Sequence, residues 1–497
     1  MRALGPFVWV IMLLLPPALR GQQPITFDTV RFNTVGRFAV GHSVDETSNG
    51  YRTFSNQKGL DTLSQDIFVT EFGPDGALLS ERTFRTYQQD WFGYSSTMQK
   101  VANGYYAGVG RFGVLGPLDS LFLYRFKNDG DTAWSKFIAV DTTLTMRGTA
   151  IESDGDVLLA GLHQYPEEAY IYHLDSVGNI KGFHGYPGFD GEDVVVGTDG
   201  SWFTCGMGNQ GINNGRPVVL RSDTVGQQLW RHTDLSMYGT FRSLIALADG
   251  GVAAMGARNP LDSCQRCTIS KLDSSGYLSW RKDPFRTNNP NWYCWFHAGY
   301  EGIDGALILA GWLRDTLVRD VGVLFKLDAL GNTLWHRFYT HYPGASFGKD
   351  QIFWDVKPTS DGGMVLTGET NSDAFPYAQL WLLKLDSAGC LVPGCGSVGV
   401  EEYVDDLNKH LRVWPNPASE VLNLSLTLPE GAHVQGNVRA LLLDGAGRVV
   451  QEEVVRQDLN HLNANLNVST LAAGTYYLHL RDGKRWLAGS AVVVTPP

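Results

Sequence analysis

The chain has 497 residues with 57 glycines, 14 tryptophans and only 18% charged residues, a composition that argues against a helical bundle or a disordered polymer and favours tight turns with aromatic packing. That length exceeds one ordinary core, so a large repeat domain followed by a small domain fits it best. The formal net charge of -11 is spread without long single-sign blocks, and no basic stripe exists to neutralise phosphates, so nucleic acid is not an expected partner.

Met1 and Arg2 precede an apolar run from Phe7 to Leu15 and then small and polar residues, the pattern of a secretory signal peptide over residues 1–21 with cleavage near Gly21. The run is too short to cross a bilayer, and no later stretch approaches about 18 uninterrupted apolar residues, so no membrane span is expected. Six cysteines in an exported chain suggest disulfides. They allow 15 pairings. Cys264 and Cys267 form a CQRC in a loop, and Cys390 and Cys395 bracket LVPG, so these four are the disulfide candidates. A redox-active CQRC would need a helix N-terminus to lower the thiol pKa, and no βαβ pattern surrounds it.

A repeat dominates residues 22–395. An apolar alternating segment runs into D-x-x-G or a close variant and then into a short strand that often holds Trp. The turn glycines are Gly76, Gly130, Gly178, Gly226, Gly276, Gly331 and Gly389, spaced by 54, 48, 48, 50, 55 and 58 residues, the period of a four-stranded propeller blade or slightly above it. In each repeat the glycine takes positive φ while the Asp caps its own turn, which makes the segment a β-hairpin. Upstream lie strands with small residues such as DVLLAGL, GVAAMGA and ALILAGW, expected as the crowded inner strands, and before them weaker candidates such as RGTAIES and FWDVKPT. The fold class is therefore all-β: a seven-bladed β-propeller with four-stranded blades, followed by a small C-terminal β-sandwich. Trp134, Trp230, Trp280 and Trp335 each stand four residues after a turn glycine, where a ring would pack against the next blade. This D-x-x-G-x-x-x-W spelling resembles the tryptophan-docking repeat of quinoprotein propellers, with a turn one residue shorter. The seventh hairpin breaks off into CLVPGCGSVGVEE, and ITFDTVRFN near the N-terminus is a candidate for its missing strand, with a degenerate eighth blade as the alternative.

Residues 396–410 read as a linker and 411–497 as a short antiparallel β-sandwich with DGAG, AAG and RDGK turns. Three ordered motifs mark this region: Pro415, Asn416 and Pro417 at its entry, Asp444, Gly447 and Arg448 in D-x-x-G-R-V-V, and Leu471, Gly474, Tyr476 and Tyr477 in L-x-x-G-x-Y-Y-L. Together they resemble the type A C-terminal sorting domain of Bacteroidota proteins exported by the type IX secretion system. The resemblance implies passage through the periplasm and the type IX translocon, removal of the domain by a processing peptidase, and a final location outside the cell or on the outer-membrane surface. The final AVVVTPP lacks the Lys that commonly precedes the terminal valines of that family.

Catalytic chemistry is hard to find. No zinc-spaced His/Cys cluster appears, and the acidic turns around Asp129, Asp131, Asp154 and Asp156 supply too few ligands for a calcium loop, so no cofactor, metal or catalytic residue is expected. Gly344 to Gly348 spells G-x-S-x-G, but between strands rather than on a strand-to-helix turn, and no separate Asp is placed to orient His336 or His341. Aromatic side chains in long connections, Trp91, Trp292, Tyr293 and Trp295 above all, are candidates for stacking on a sugar or a protein ligand. A hydrolase or quinoprotein-like oxidoreductase built on one propeller face is the alternative, and a purely structural surface component a third reading. Asp followed by Ser or Thr and a small apolar residue recurs at Asp28, Asp61, Asp119, Asp131, Asp175, Asp223, Asp315 and Asp386, which resembles the O-glycosylation signal of Bacteroidota and is equally a turn former.

Overall fold

The computed structural model describes residues 25–31, 38–58, 65–84, 89–92, 98–112, 118–139, 144–164, 167–209, 211, 215–259, 266–284, 293–314, 320–342, 350–374, 376–391, 407–428, 434, 438–444, 448–458, 460–482 and 485–496. Seven blades follow one another, antiparallel within each blade, the first two being joined into one nine-stranded sheet by a single parallel pairing of Gln65 with Gln89. The first takes strands from residues 39–84, the second from 89–139, the third from 144–187, the fourth from 189–233, the fifth from 238–282 and the sixth from 294–339. The seventh joins Gln351–Pro358, Met364–Thr370 and Gln379–Leu385 to Phe27–Arg31, whose outer-strand register runs from Phe27 opposite Lys384 to Arg31 opposite Leu380. The N-terminal segment thus supplies the strand that the seventh hairpin lacks. Ala39 N donates to Ala378 O at 2.8 Å, and Ser43 Oγ donates to Asp355 at 2.9 Å, so the first blade lies against the seventh and the ring is closed.

Burial follows position in the blade. The third strand of the seventh blade, Gln379–Leu385, is buried at every residue because both of its faces meet other strands, whereas the outer strand Thr132–Ala139 alternates between half-buried and exposed from Thr132 to Phe137 and buries only Ile138. Tight turns close the first to the second strand and the third to the fourth; the connections between second and third strands and between blades gather on the opposite face. Each D-x-x-G turn closes as its residues dictate: Asp328 Oδ1 accepts from Leu330 N and Asn332 N at 2.9 and 2.8 Å, and Gly331 sits at φ 77°. The glycine is required twice over, since a Cβ on Gly331 would lie 2.8 Å from the Trp280 ring of the preceding blade. Gly276 meets Trp230 and Gly389 meets Trp335 in the same way. Trp280 and Trp230 also donate Nε1–H to Ala329 O and Ser274 O in the facing turn, at 3.2 and 3.0 Å. The repeated Trp is therefore a blade-to-blade clasp.

The sequence reading misplaced the inner strand. Segments such as DVLLAGL lie mostly in second strands, and the weaker candidates such as RGTAIES are the innermost. Their glycines answer to a bulge. In the third to seventh blades the inner strand carries one extra residue, and a Cβ on the facing Gly161, Gly206, Gly256, Gly311 or Gly368 would lie 1.6 to 2.0 Å from an inner-strand carbonyl oxygen.

The C-terminal residues fold into two four-stranded sheets, one ordered 411–414, 421–427, 461–467, 456–458 and the other 449–454, 438–443, 474–482, 485–494. Leu422, Leu424, Leu426, Leu442, Leu478 and Leu480 fill the space between them, and Leu407 from the short turn Leu407–His410 joins that core. No helix among the described residues is long and apolar enough to cross a membrane.

Candidate functional site

The bulged residues of the inner strands form the first candidate site. They are His42, Arg147, Glu192, Arg242, His297 and Trp354, at equivalent positions in the first and the third to seventh blades. In the second blade the ladder instead jumps from Phe92 opposite Val109 to Met98 opposite Ala107. A bulge re-aims its side chain, and here the extra residues meet across the blade seams. Arg147 Nε lies 3.7 Å from Glu192, the Arg242 guanidinium lies 4.0 Å over Trp295, His297 and Trp354 rings are 4.2 Å apart, and Trp354 and His42 rings 6.0 Å. Trp354 also donates Nε1–H to Glu369 at 3.1 Å.

The electrostatics follow from burial. His42 and His297 are almost wholly enclosed, and loss of hydration pushes both imidazoles down to about 3; the nearby Arg242 adds to the effect at His297. Burial, with Asp350 nearby, pushes Glu369 up to about 7. At neutral pH this zone therefore combines two uncharged imidazoles, an indole, two arginines and the carboxyl groups of Glu192 and Glu369, the latter poised between its two states. Sequence reasoning passed over these residues because nothing in their own spelling sets them apart; the glycine facing each bulge was the available signal.

Two of the four aromatic candidates, Tyr293 and Trp295, fall at one edge of this zone. Trp295 is half-buried on the inner strand Cys294–Glu301, not in a loop, and Tyr293 just before it is 36% exposed. The Arg314 guanidinium lies 5.3 Å from Tyr293 and 5.6 Å from Trp312, and Arg314 is fixed by two bonds of 2.7 and 2.9 Å to Asp320. Trp91 lies in the short strand Gln89–Phe92 rather than in a loop, and Trp292 lies outside the described residues. The structure settles a pairing that the sequence left open: Cys267 bonds to Cys294, 27 residues on, because it stands on a strand of the fifth blade facing the start of the sixth. This staple holds the backbone between Tyr293 and Trp295, and closing such a loop contributes about 3 kcal/mol. Cys390 is also disulfide-bonded, Cys205 is free and buried, and Cys264 and Cys395 lie outside the described residues.

One further expectation is changed by the ring closure. His341 does have an orienting carboxylate, since Asp28 from the closing strand lies 2.8 Å from its Nδ1 and accepts from Trp381 Nε1 at 2.7 Å. Residues 344–348 lie outside the described residues. On the tight-turn face, Glu152, Asp156 and His173 bring three metal-ligand atoms within 4.8 Å of one another.

In the C-terminal sandwich, Asn416 stitches its strand entry to the last strand, donating to Ala491 O at 3.1 Å and accepting from Val493 N at 2.8 Å, with Pro415 and Pro417 exposed beside it. Asp444 Oδ1 accepts from Arg448 N at 3.0 Å, and its other oxygen pairs with the Arg448 side chain. Tyr476 donates to Ala472 O at 2.8 Å, and Gly474 opens the strand Gly474–Asp482; Gly447 lies outside the described residues.

Residues 412–494 match the family described as the secretion system C-terminal sorting domain. No curated protein matches the chain significantly in sequence. Similar solved structures include an acylaminoacyl peptidase from Pyrococcus horikoshii, 11% identical with a TM-score of 0.43, covering 79% of this chain and 58% of that one. A protein of unknown function from Dyadobacter fermentans is 12% identical with a TM-score of 0.40, covering 60% and 98%. A gluconolactonase from Xanthomonas campestris is 12% identical with a TM-score of 0.33, covering 60% and 89%. The chain is thus an exported seven-bladed β-propeller that carries, at its C-terminus, a sorting domain of the type IX secretion system family.

Proposed function

We propose that the propeller is a binding module displayed on, or released from, the cell surface, and that it takes a glycan or a surface protein at the face carrying the long connections. In this reading residues 1–21 are the signal peptide, and the segment 396–410 is where a processing peptidase separates propeller from sorting domain. The observation that carries the proposal is the series of arginine–aromatic stacks on that face, Tyr293 and Trp312 with Arg314 and Trp295 with Arg242, tied down by the Cys267–Cys294 bridge. Rigid aromatic faces beside guanidinium groups suit the apolar faces and the hydroxyl or carboxylate edges of sugars. A glycan array and polysaccharide pull-down with the full-length chain tests it. The Tyr293→Ala, Trp295→Ala double variant should bind about tenfold or more weakly; binding by the double variant equal to that of the native chain removes the proposal. The hydrolase alternative draws on Glu369, and a glycan shortened by the native chain but not by Glu369→Gln would favour it.

A further inference from the structure

We propose that the third blade holds a zinc-type divalent cation between Glu152, Asp156 and His173, in the place where four other blades hold the head group of a basic side chain.

The repeat defines that place. Two residues before the turn Asp of the third strand, the fourth to seventh blades carry Arg221, Lys271, Lys326 and Lys384. Each pairs with an Asp in the turn between the first two strands: Asp199 at 2.5 Å, Asp249 at 2.6 Å, Asp304 at 3.0 Å and Asp361 at 2.9 Å. The third blade has His173 at this position and two carboxylates against it. His173 Nε2 lies 2.9 Å from Glu152 Oε2 and 3.1 Å from Asp156 Oδ2. A tetrahedral zinc bound at about 2.0–2.1 Å places its ligand atoms roughly 3.3 Å apart; the two distances from His173 are within a few tenths of an ångström of that, and all three atoms lie within 4.8 Å of one another. The set of one nitrogen and two oxygens suits zinc better than calcium, which takes six to eight oxygens.

The surroundings also fit. Each of the three side chains is only 10 to 11% exposed. Glu152 spends its other oxygen on Trp202 Nε1 at 2.8 Å, which orients the carboxylate and leaves Oε2 for the cation. The Asp154 carboxylate is turned back to Asp156 N at 3.0 Å. The Trp202 ring lies 5.1 Å from His173 and shields one side. Lys181 from the outer strand pairs with Asp156 Oδ2, and being 47% exposed it can swing into water when a cation enters.

The test uses the full-length chain stripped with chelator and titrated with zinc sulfate, with bound metal counted after dialysis and affinity read by calorimetry. The native chain should bind one more zinc than His173→Lys, a variant that installs the side chain found in the fifth to seventh blades and so should keep its melting temperature in chelator. Glu152→Gln, which preserves an acceptor for Trp202, should weaken binding about tenfold or more. Lys181→Gln should tighten it several-fold, and a variant that binds no more tightly counts against the site. Equal zinc stoichiometry and affinity in the native chain and His173→Lys would overturn the proposal and leave His173 as the third blade's counterpart of the basic residues.

Discussion

His42 and His297 are held uncharged by burial, and that has a measurable consequence for acid stability. His297 is 1% exposed, its two ring nitrogens have no hydrogen-bond partner among the described residues, and its folded-state pKa is pushed down to about 3 from an ordinary 6.5. Below pH 6.5 the unfolded chain takes up a proton at this side chain that the folded chain refuses, so stability falls as pH drops from 6.5 toward 3. Between pH 7 and pH 5 the loss from this one residue is about 2 kcal/mol. The native chain should therefore lose about that much more stability over this interval than His297→Leu, measured by denaturant unfolding at the two pH values. Equal losses would mean that His297 is hydrated or paired. The sequence displays His297 as one of 12 histidines, with nothing in its neighbours to predict such burial. The environment is made by Trp354 and Arg242, residues more than fifty positions away that the ring brings to its side.

Among elements, the hairpins were legible because D-x-x-G is a local device: its Asp and Gly satisfy and bend their own turn, whatever lies outside. The order of strands within a blade was less so. Small residues in ALILAGW suggested crowding near the axis, whereas Gly311 is small because the bulged inner strand pushes a carbonyl toward it. Two glycine variants separate steric need from conformational need. A Cβ on Gly311 would lie 1.9 Å from Trp295 O, so Gly311→Ala should cost about 3 kcal/mol through backbone displacement. Gly362 sits at φ 81° with nothing within 4 Å, so Gly362→Ala should cost only about 1 kcal/mol, the strain of a left-handed residue. Thermal unfolding of both variants checks the order, and a Gly362→Ala chain less stable than Gly311→Ala reverses the assignment.

At the scale of the molecule, the ring is closed by five residues from the N-terminal side, Phe27–Arg31, on the edge of Gln379–Leu385. Without them that edge would show unpaired backbone groups and a fully buried apolar strand to water. Deleting residues 25–31 should therefore give a chain that aggregates or is rapidly cut by protease. Moving the segment to follow residue 391 through a short flexible linker should restore a monomeric, protease-resistant propeller. The moved segment keeps Asp28 beside His341 and Trp381, so failure of the permuted chain to recover would show that the covalent link from this strand to the first blade is needed as well as its pairing.

The sequence by itself determined the class of fold, the seven hairpins and the sorting motifs, because each is written in residues a few positions apart whose chemistry acts locally. It also pointed to the closing strand, since an unfinished last repeat implies a partner elsewhere. Only the tertiary structure decided the Cys267–Cys294 bridge, the line of bulged residues His42, Arg242, His297 and Trp354, and the grouping of Glu152 and Asp156 with His173. Those depend on strand register and on which faces of successive blades meet, quantities set by the packing of the whole ring.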